Sequence, residues 1–145
     1  MTIKFTVFRP TMTAFNESRN EIKEKGWGSP SEYTSPLSAL KVTELNASYA
    51  EELNDAVIAH KAQFELCLEK GLVVPMATVE CHKDEIFENT NSINSNWVDN
   101  EKVQLINPSV ETFNHSTKAG DILFAERNGK KTWLLVAEYD FVVIK

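Results

Sequence analysis

The sequence predicts an α+β fold: a small, mainly antiparallel sheet with a C-terminal hairpin, packed by one long and one or two short helices. Helical periodicity lies in the first half of the chain, and most strand-like alternation lies in the second half. This segregation favours α+β over a regular βαβ repeat. The chain has 145 residues, of which 42% are hydrophobic, so we predict a single domain over residues 1–145.

The first half begins with a strand and two helices. Residues 3–8 alternate between apolar and polar side chains, which is the strand period. A helical pattern follows and ends at Gly26, a residue typical of helix C-termini. Ser35 before Pro36 predicts an N-cap with a first-turn proline, and therefore a short helix to about Leu45.

A long helix is the element that the sequence supports best. Ser48 and Glu51 have the spacing of a capping box, in which each side chain binds a backbone N–H at the helix start. Gly71 ends the pattern. One helical stripe contains Tyr49, Leu53, Val57, Phe64, Cys67 and Leu68.

The strands of the second half are separated by an irregular region. Residues 72–81 predict a strand in which Pro75 favours an edge position or a strand start, because proline has no N–H to donate. A short helix at 83–88 and a short strand at 103–106 follow.

The C-terminal region predicts a hairpin. Residues 121–126 and 131–137 flank Asn128-Gly129, a dipeptide that accepts positive φ at both central turn positions. Residues 141–144 supply a last strand.

Charge and cysteine content exclude several classes of protein. The net charge is −6, which disfavours non-specific binding to nucleic acid. No stretch approaches the 18 apolar residues of a membrane span, and no apolar leader follows Met1. Two cysteines do not make a disulfide framework. We expect a cytoplasmic protein without membrane contact, whose oligomeric state the sequence leaves open.

An Asn-rich segment at residues 89–101 fits neither the helix nor the strand period. Residues 80–101 contain six acidic residues and one lysine, a local net charge of −5. Trp97 either packs onto the core or anchors a partner, since tryptophan combines a large apolar area with one donor. The predicted interaction residues are Asn94, Asn96, Trp97, Asp99 and Glu101.

No arrangement typical of metal or cofactor chemistry occurs. Cys81 and His82 lie beside two acidic residues, but the paired Cys or His motifs of zinc sites are missing. The chain has no nucleophile-elbow motif and no glycine-rich phosphate loop. The sequence therefore predicts no metal and no cofactor, and favours a protein that is not an enzyme.

One order of residues resembles the first third of ADP-ribosyltransferase domains. A first strand ends at Arg9, a helix follows, and Tyr33-Thr34-Ser35 precedes the next helix. The resemblance implies that Arg9 binds NAD and that Tyr33 and Ser35 shape the nicotinamide pocket. Glu138 is then the candidate catalytic glutamate, although the family's Glu-x-Glu pattern is missing.

These features lead to one functional hypothesis and two alternatives. The hypothesis is a small non-enzymatic binding or regulatory protein that docks onto another protein. Its composition is typical of a phage or mobile-element accessory protein, for instance an inhibitor. The alternatives are an NAD-dependent ADP-ribosyltransferase-like enzyme and a protein that sequesters a nucleotide in a pocket.

Overall fold

A computed structural model describes residues 2–91, 96–138 and 140–144. The strands within these residues are β1 (Ile3–Pro10), β2 (Val73–Cys81), β3 (Val103–Leu105), β4 (Ile122–Arg127), β5 (Lys130–Val136) and β6 (Phe141–Val143). The α-helices are α1 (Met12–Lys25), α2 (Pro36–Ala47), α3 (Asp55–Glu69) and the single turn α4 (Ile86–Asn89).

The strands form one antiparallel sheet in the order β3-β2-β1-β4-β5-β6. β1 lies inside the sheet and pairs with β2 on one side and with β4 on the other. The predicted α+β class with a mainly antiparallel sheet is confirmed. The helices are more equal in length than predicted, because α1, α2 and α3 have 14, 12 and 15 residues.

The sheet is covered on both faces. Along β1, Phe5 and Val7 belong to one buried cluster, whereas Phe8 packs against the other. The α-helices α1 to α3 supply residues to the Phe8 cluster, in which Phe8 and Phe64 meet edge to face with ring centroids 5.3 Å apart. The segment between β2 and β4 covers the opposite face and contributes Ile86 and Trp97.

The predicted C-terminal hairpin is confirmed. Asn128 and Gly129 have φ values of 51° and 78°, and a type I′ hairpin turn needs positive φ at both of its central residues. Arg127 pairs directly with Lys130 across this turn, and β6 then pairs with β5.

Pro75 lies near the start of β2, the second of the two predicted alternatives, in a strand that is not at the edge of the sheet. β2 is flanked by β1 and by β3, but β3 pairs only with residues 77–79. The register between β1 and β2 shifts at this point, so that Val7 pairs with Ala77 and Phe8 with Pro75. A bulge accommodates a residue without an N–H inside a sheet, which explains the position of this proline.

The capping box predicted at Ser48 and Glu51 is wrong. The N–H of Ser48 donates to the carbonyl of Glu44, so Ser48 still belongs to the last turn of α2. α3 begins later, where the Asn54 side chain accepts a hydrogen bond from the N–H of Val57. The chain between these helices is a turn, and the predicted stripe residues Tyr49 and Leu53 are exposed.

The true start of α3 can be tested by substitution. Asn54→Ala should lower the free energy of unfolding by about 1 kcal/mol, because a cap to the first turn is lost. Ser48→Ala should cost less than about 0.5 kcal/mol, since the hydroxyl of this half-buried residue bonds only the Leu45 carbonyl of its own helix. Urea denaturation of both variants checks this, and an equal or larger loss in Ser48→Ala would favour the capping box instead.

Candidate functional site

A cleft of about 360 Å³ lies between the helix-covered face of the sheet and the chain that leads into β4. This volume is within the range of small-molecule sites in proteins. Aromatic rings supply much of the wall: Phe8, Phe15, Trp27, Phe64 and Phe113. Charged and imidazole side chains also line it: Lys41, Glu44, His60, His115, Lys118 and Asp121.

Contacts near the end of β1 bring one wall of the cleft together. The N–H of Phe113 donates to the carbonyl of Pro10, and the N–H of Met12 donates to the carbonyl of Glu111. These bonds hold residues 111–113 beside the start of α1. The ring of Phe113 then stacks on Phe15 of α1 with centroids 3.9 Å apart.

Trp27 lies at the opposite end of α1. Gly26 ends the helix with φ of 73°, a conformation that favours glycine, and turns the chain so that Trp27 lines the cleft. Its side chain is 63% exposed. No other aromatic ring or cation stacks on this indole among the residues that the structure describes.

Arg9 contacts residues 115–121, the loop that forms the polar side of the cleft. This residue is 1% exposed, and its guanidinium donates to the His115 carbonyl at 3.0 Å, to the Phe8 carbonyl at 2.7 Å and to Thr117 Oγ1 at 3.2 Å. Asp121 lies 3.6 Å from Nη1. Burial lowers the pKa of Arg9, and the Asp121 carboxylate opposes that effect. Each of the three guanidinium nitrogens thus donates a hydrogen bond within the fold.

His60 fastens α3 to the same loop. Its Nε2–H donates to the Gly120 carbonyl at 2.7 Å, and Nδ1 lies 2.8 Å from Thr43 Oγ1, whose one hydroxyl hydrogen can point to Nδ1 or to the Leu40 carbonyl at 2.9 Å. Burial lowers the pKa of His60, so the neutral ring is favoured. The bond to Gly120 fixes the tautomer of this neutral ring.

Lys118, Glu44 and Asp121 form a network of ion pairs on the polar side of the cleft. Lys118 Nζ contacts the carboxylate of Glu44 and lies 3.9 Å from Asp121. A Cβ at Gly120 would clash with the Glu44 side chain, so the absence of a side chain there permits this approach. Burial lowers the pKa of Lys118, with Asp121 opposing the shift. These contacts balance the charge of Lys118.

Lys41 differs from Lys118 in having no carboxylate partner among the described residues. Its Nζ lies 4.7 Å from the centroid of Phe15, and within the described ranges no Asp or Glu oxygen lies within ion-pair distance of it. Burial lowers the pKa of Lys41, and the neighbouring charges of Lys118 and Arg19 lower it further. The cleft therefore contains a half-buried cation whose charge is not balanced by the protein.

The Asn-rich segment does not present Trp97 to solvent. Trp97 is 1% exposed, and its Nε1–H lies 3.1 Å from the carbonyls of both Asn114 and His115. Of the two alternatives for this residue, the structure therefore shows the packed one. Asn96 caps the short turn Trp97–Asp99, and Asp99 and Glu101 are exposed. Asn94 lies outside the described residues, and a docking role for this segment stays a prediction.

The four residues carried over from the ADP-ribosyltransferase resemblance are not brought together. Arg9 is engaged inside the fold, and the Tyr33 hydroxyl bonds backbone groups of the Gly26–Gly28 loop at 2.7 Å. The backbone N–H of Ser35 donates to a carboxylate of α1, and exposed Glu138 bonds through its own N–H to the Ser48 carbonyl. None of the four lines the cleft, and no hydrogen bond joins any two of them.

Sequence reasoning did not single out the cleft residues Phe15, Lys41 and Lys118. They lie on different elements, and no motif spacing connects them. One signal was available: Trp27 stands between two glycines in a polar loop, where a large apolar ring has little local structure to pack on.

Comparisons with protein-family models, with curated proteins and with solved structures find no match. Within the described residues, no helix combines the length and apolar character of a bilayer-crossing segment. The same part of the chain contains no group of three or more His, Cys, Asp or Glu side chains arranged to hold a metal ion. The geometry of the cleft therefore carries the functional argument.

The role of Arg9 predicts a large loss of stability on its removal. Arg9→Met should lower the free energy of unfolding by about 3 kcal/mol, because buried carbonyls lose their donor and Asp121 loses a cation. The exposed Arg19→Met is the matched control and should cost less than about 0.5 kcal/mol. Urea denaturation measures both, and equal losses in the two variants would refute the role given to Arg9.

The buried imidazole of His60 predicts an acid-sensitive fold. Its folded pKa lies below the ordinary value, so the unfolded chain binds a proton first as the pH falls below about 6.5. The contribution of neutral His60 to the free energy of unfolding is therefore fully present above that pH. It is lost as the pH falls toward the folded pKa, by up to about 1.4 kcal/mol per pH unit. His60→Gln should lose less stability than the parent between neutral and mildly acidic pH. Urea titrations at several pH values in that range measure the free energy of unfolding of both proteins. An equally steep fall with pH in the parent and in His60→Gln would contradict the prediction.

Proposed function

We propose that this protein binds and sequesters a small molecule that has a flat apolar body and an anionic group, and that the binding site is the cleft between the helices and residues 113–122. The observation that carries the proposal is the unbalanced cation of Lys41 inside an aromatic cavity. Small-molecule sites combine this kind of apolar wall with a few polar groups that orient the ligand.

The apolar part of the ligand is supported by the composition of the wall. Phenyl rings and leucines surround the space, including Phe64, Leu37 and Leu40. Moving apolar ligand surface from water into such a wall is favourable by about 25 cal/mol per Å². Flat rings suit this wall, since aromatic pairs stack or meet edge to face.

The anionic part is supported by the charges. The chain has a net charge of −6, yet Lys41 stands near Lys118 and Arg19 and has no carboxylate partner of its own among the described residues. An anion beside Lys41 would relieve the repulsion among these cations. A charge-assisted hydrogen bond in a half-buried site is also stronger than one in water.

The test uses the naphthoate anion, which matches both parts of the proposed ligand, and titration calorimetry. Naphthoate should bind the parent protein at one site. Naphthylmethanol, which has the same rings without the charge, should bind about tenfold more weakly. Lys41→Met should weaken naphthoate binding to a similar degree, because the counter-charge is lost.

The matched control is Lys23→Met, which removes one exposed lysine from α1 and lies outside the cleft. Its affinity for naphthoate should stay within about twofold of the parent. Binding that is absent in the parent protein, or that is equally strong in Lys41→Met, would overturn the proposed function.

A further inference from the structure

The geometry points to a nucleoside monophosphate as the ligand class, with its base on Trp27 and its phosphate between Lys41 and Arg19. This inference rests on the proposed function, because it places the ligand in the same cleft and identifies its anionic group. It identifies the flat end of the ligand as a base and the anionic end as a phosphate. It also gives roles to Trp27 and Arg19, which the binding of a simple aromatic anion does not require.

The phosphate position follows from two cations that share one ring. The Lys41 ammonium lies 4.7 Å and the Arg19 guanidinium 5.8 Å from the centroid of Phe15. Phe113 stacks closely on the same ring. Neither cation has a carboxylate within ion-pair distance in the described part of the chain. Two cations that both lie within about 6 Å of one ring centroid and have no carboxylate partner among the described residues are better matched by a phosphate dianion than by a singly charged carboxylate.

Arg19 and Lys41 differ in how their charged groups bind phosphate. A guanidinium presents a planar fork of donors that fits phosphate oxygens two at a time, whereas an ammonium acts as a compact point charge. Arg19 is exposed on α1, and Lys41 is half-buried on α2. Arg19 does not line the cleft but lies over Phe15, so a phosphate held by both cations would meet Lys41 inside the cleft and Arg19 on the solvent side of this ring.

The base position follows from Trp27. Its indole is 63% exposed although it lines the cleft, and it is the aromatic wall residue for which no ring partner exists within the described residues. Bases of any sequence stack on aromatic side chains because every base has a π face. A base can therefore stack on Trp27. Phe15 is less available, because Phe113 and two cations already contact its ring.

The size of the cleft favours one nucleotide over two. A volume of about 360 Å³ is near the lower end of the range for small-molecule sites. A mononucleotide suits that volume, whereas a dinucleotide such as NAD is roughly twice as large.

Titration calorimetry with adenosine monophosphate, adenosine, NAD and naphthoate tests the assignment, with quenching of tryptophan fluorescence as a second readout. Adenosine monophosphate should bind at least about tenfold more tightly than adenosine and than NAD. Lys41→Met and Arg19→Met should each weaken its binding about tenfold. Trp27→Ala should do the same and should abolish the fluorescence quenching, since the other tryptophans are more buried.

Matched controls are Lys23→Met for the lost charge and Tyr49→Ala for the lost exposed ring, both outside the cleft. Urea midpoints close to the parent value confirm folding, and Trp27→Leu replaces Trp27→Ala if the latter unfolds. Naphthoate binding without tighter binding of the monophosphate than of adenosine overturns this inference and leaves the proposed function in place. Failure of both ligands overturns both. Monophosphate affinity that is unchanged in the Arg19 and Trp27 variants also overturns the inference.

Discussion

The buried guanidinium of Arg9 is the constraint on which the rest of the site depends. β1 runs through the middle of the sheet, and its last residues carry this cation into the face opposite the helices, where it is also 5.4 Å from the ring of Trp97. A buried charge is tolerated only when it is paired and hydrogen-bonded. Arg9 meets that requirement by binding the chain at residues 115–121, and so it fixes the loop that forms the polar side of the cleft.

The helices α2 and α3 contact the same loop from the other side. His60 of α3 reaches the Gly120 carbonyl, and Glu44 of α2 reaches Lys118 across a glycine. These contacts pair Lys118 with carboxylates, whereas Lys41 in the same cleft has no carboxylate partner among the described residues. The wall of the cleft thus combines aromatic rings with a half-buried lysine that lacks a carboxylate partner among the described residues, which fits the proposed binding of an anion.

The fold was more predictable from sequence than the site. The hairpin at Asn128-Gly129 is predictable because its turn chemistry is local. The start of α3 is not, because Ser48 and Asn54 are both good caps and the sequence does not show that Ser48 belongs to the end of α2. The burial of Trp97 and the convergence of Lys41 on Phe15 depend on contacts between residues far apart in the chain. Neither periodicity nor motif spacing contains that information.

The central claim is that Lys41 is the counter-charge for an anionic ligand, and the titration of this one side chain tests it most directly. Burial and neighbouring cations hold the pKa of Lys41 below its ordinary value in the free protein. An anion bound beside it must raise that pKa, because it stabilises the protonated amine. Carbon-13 NMR of the Lys41 side chain, recorded against pH with and without saturating naphthoate, should show the pKa rising on binding. A pKa that is the same in both samples would contradict the account.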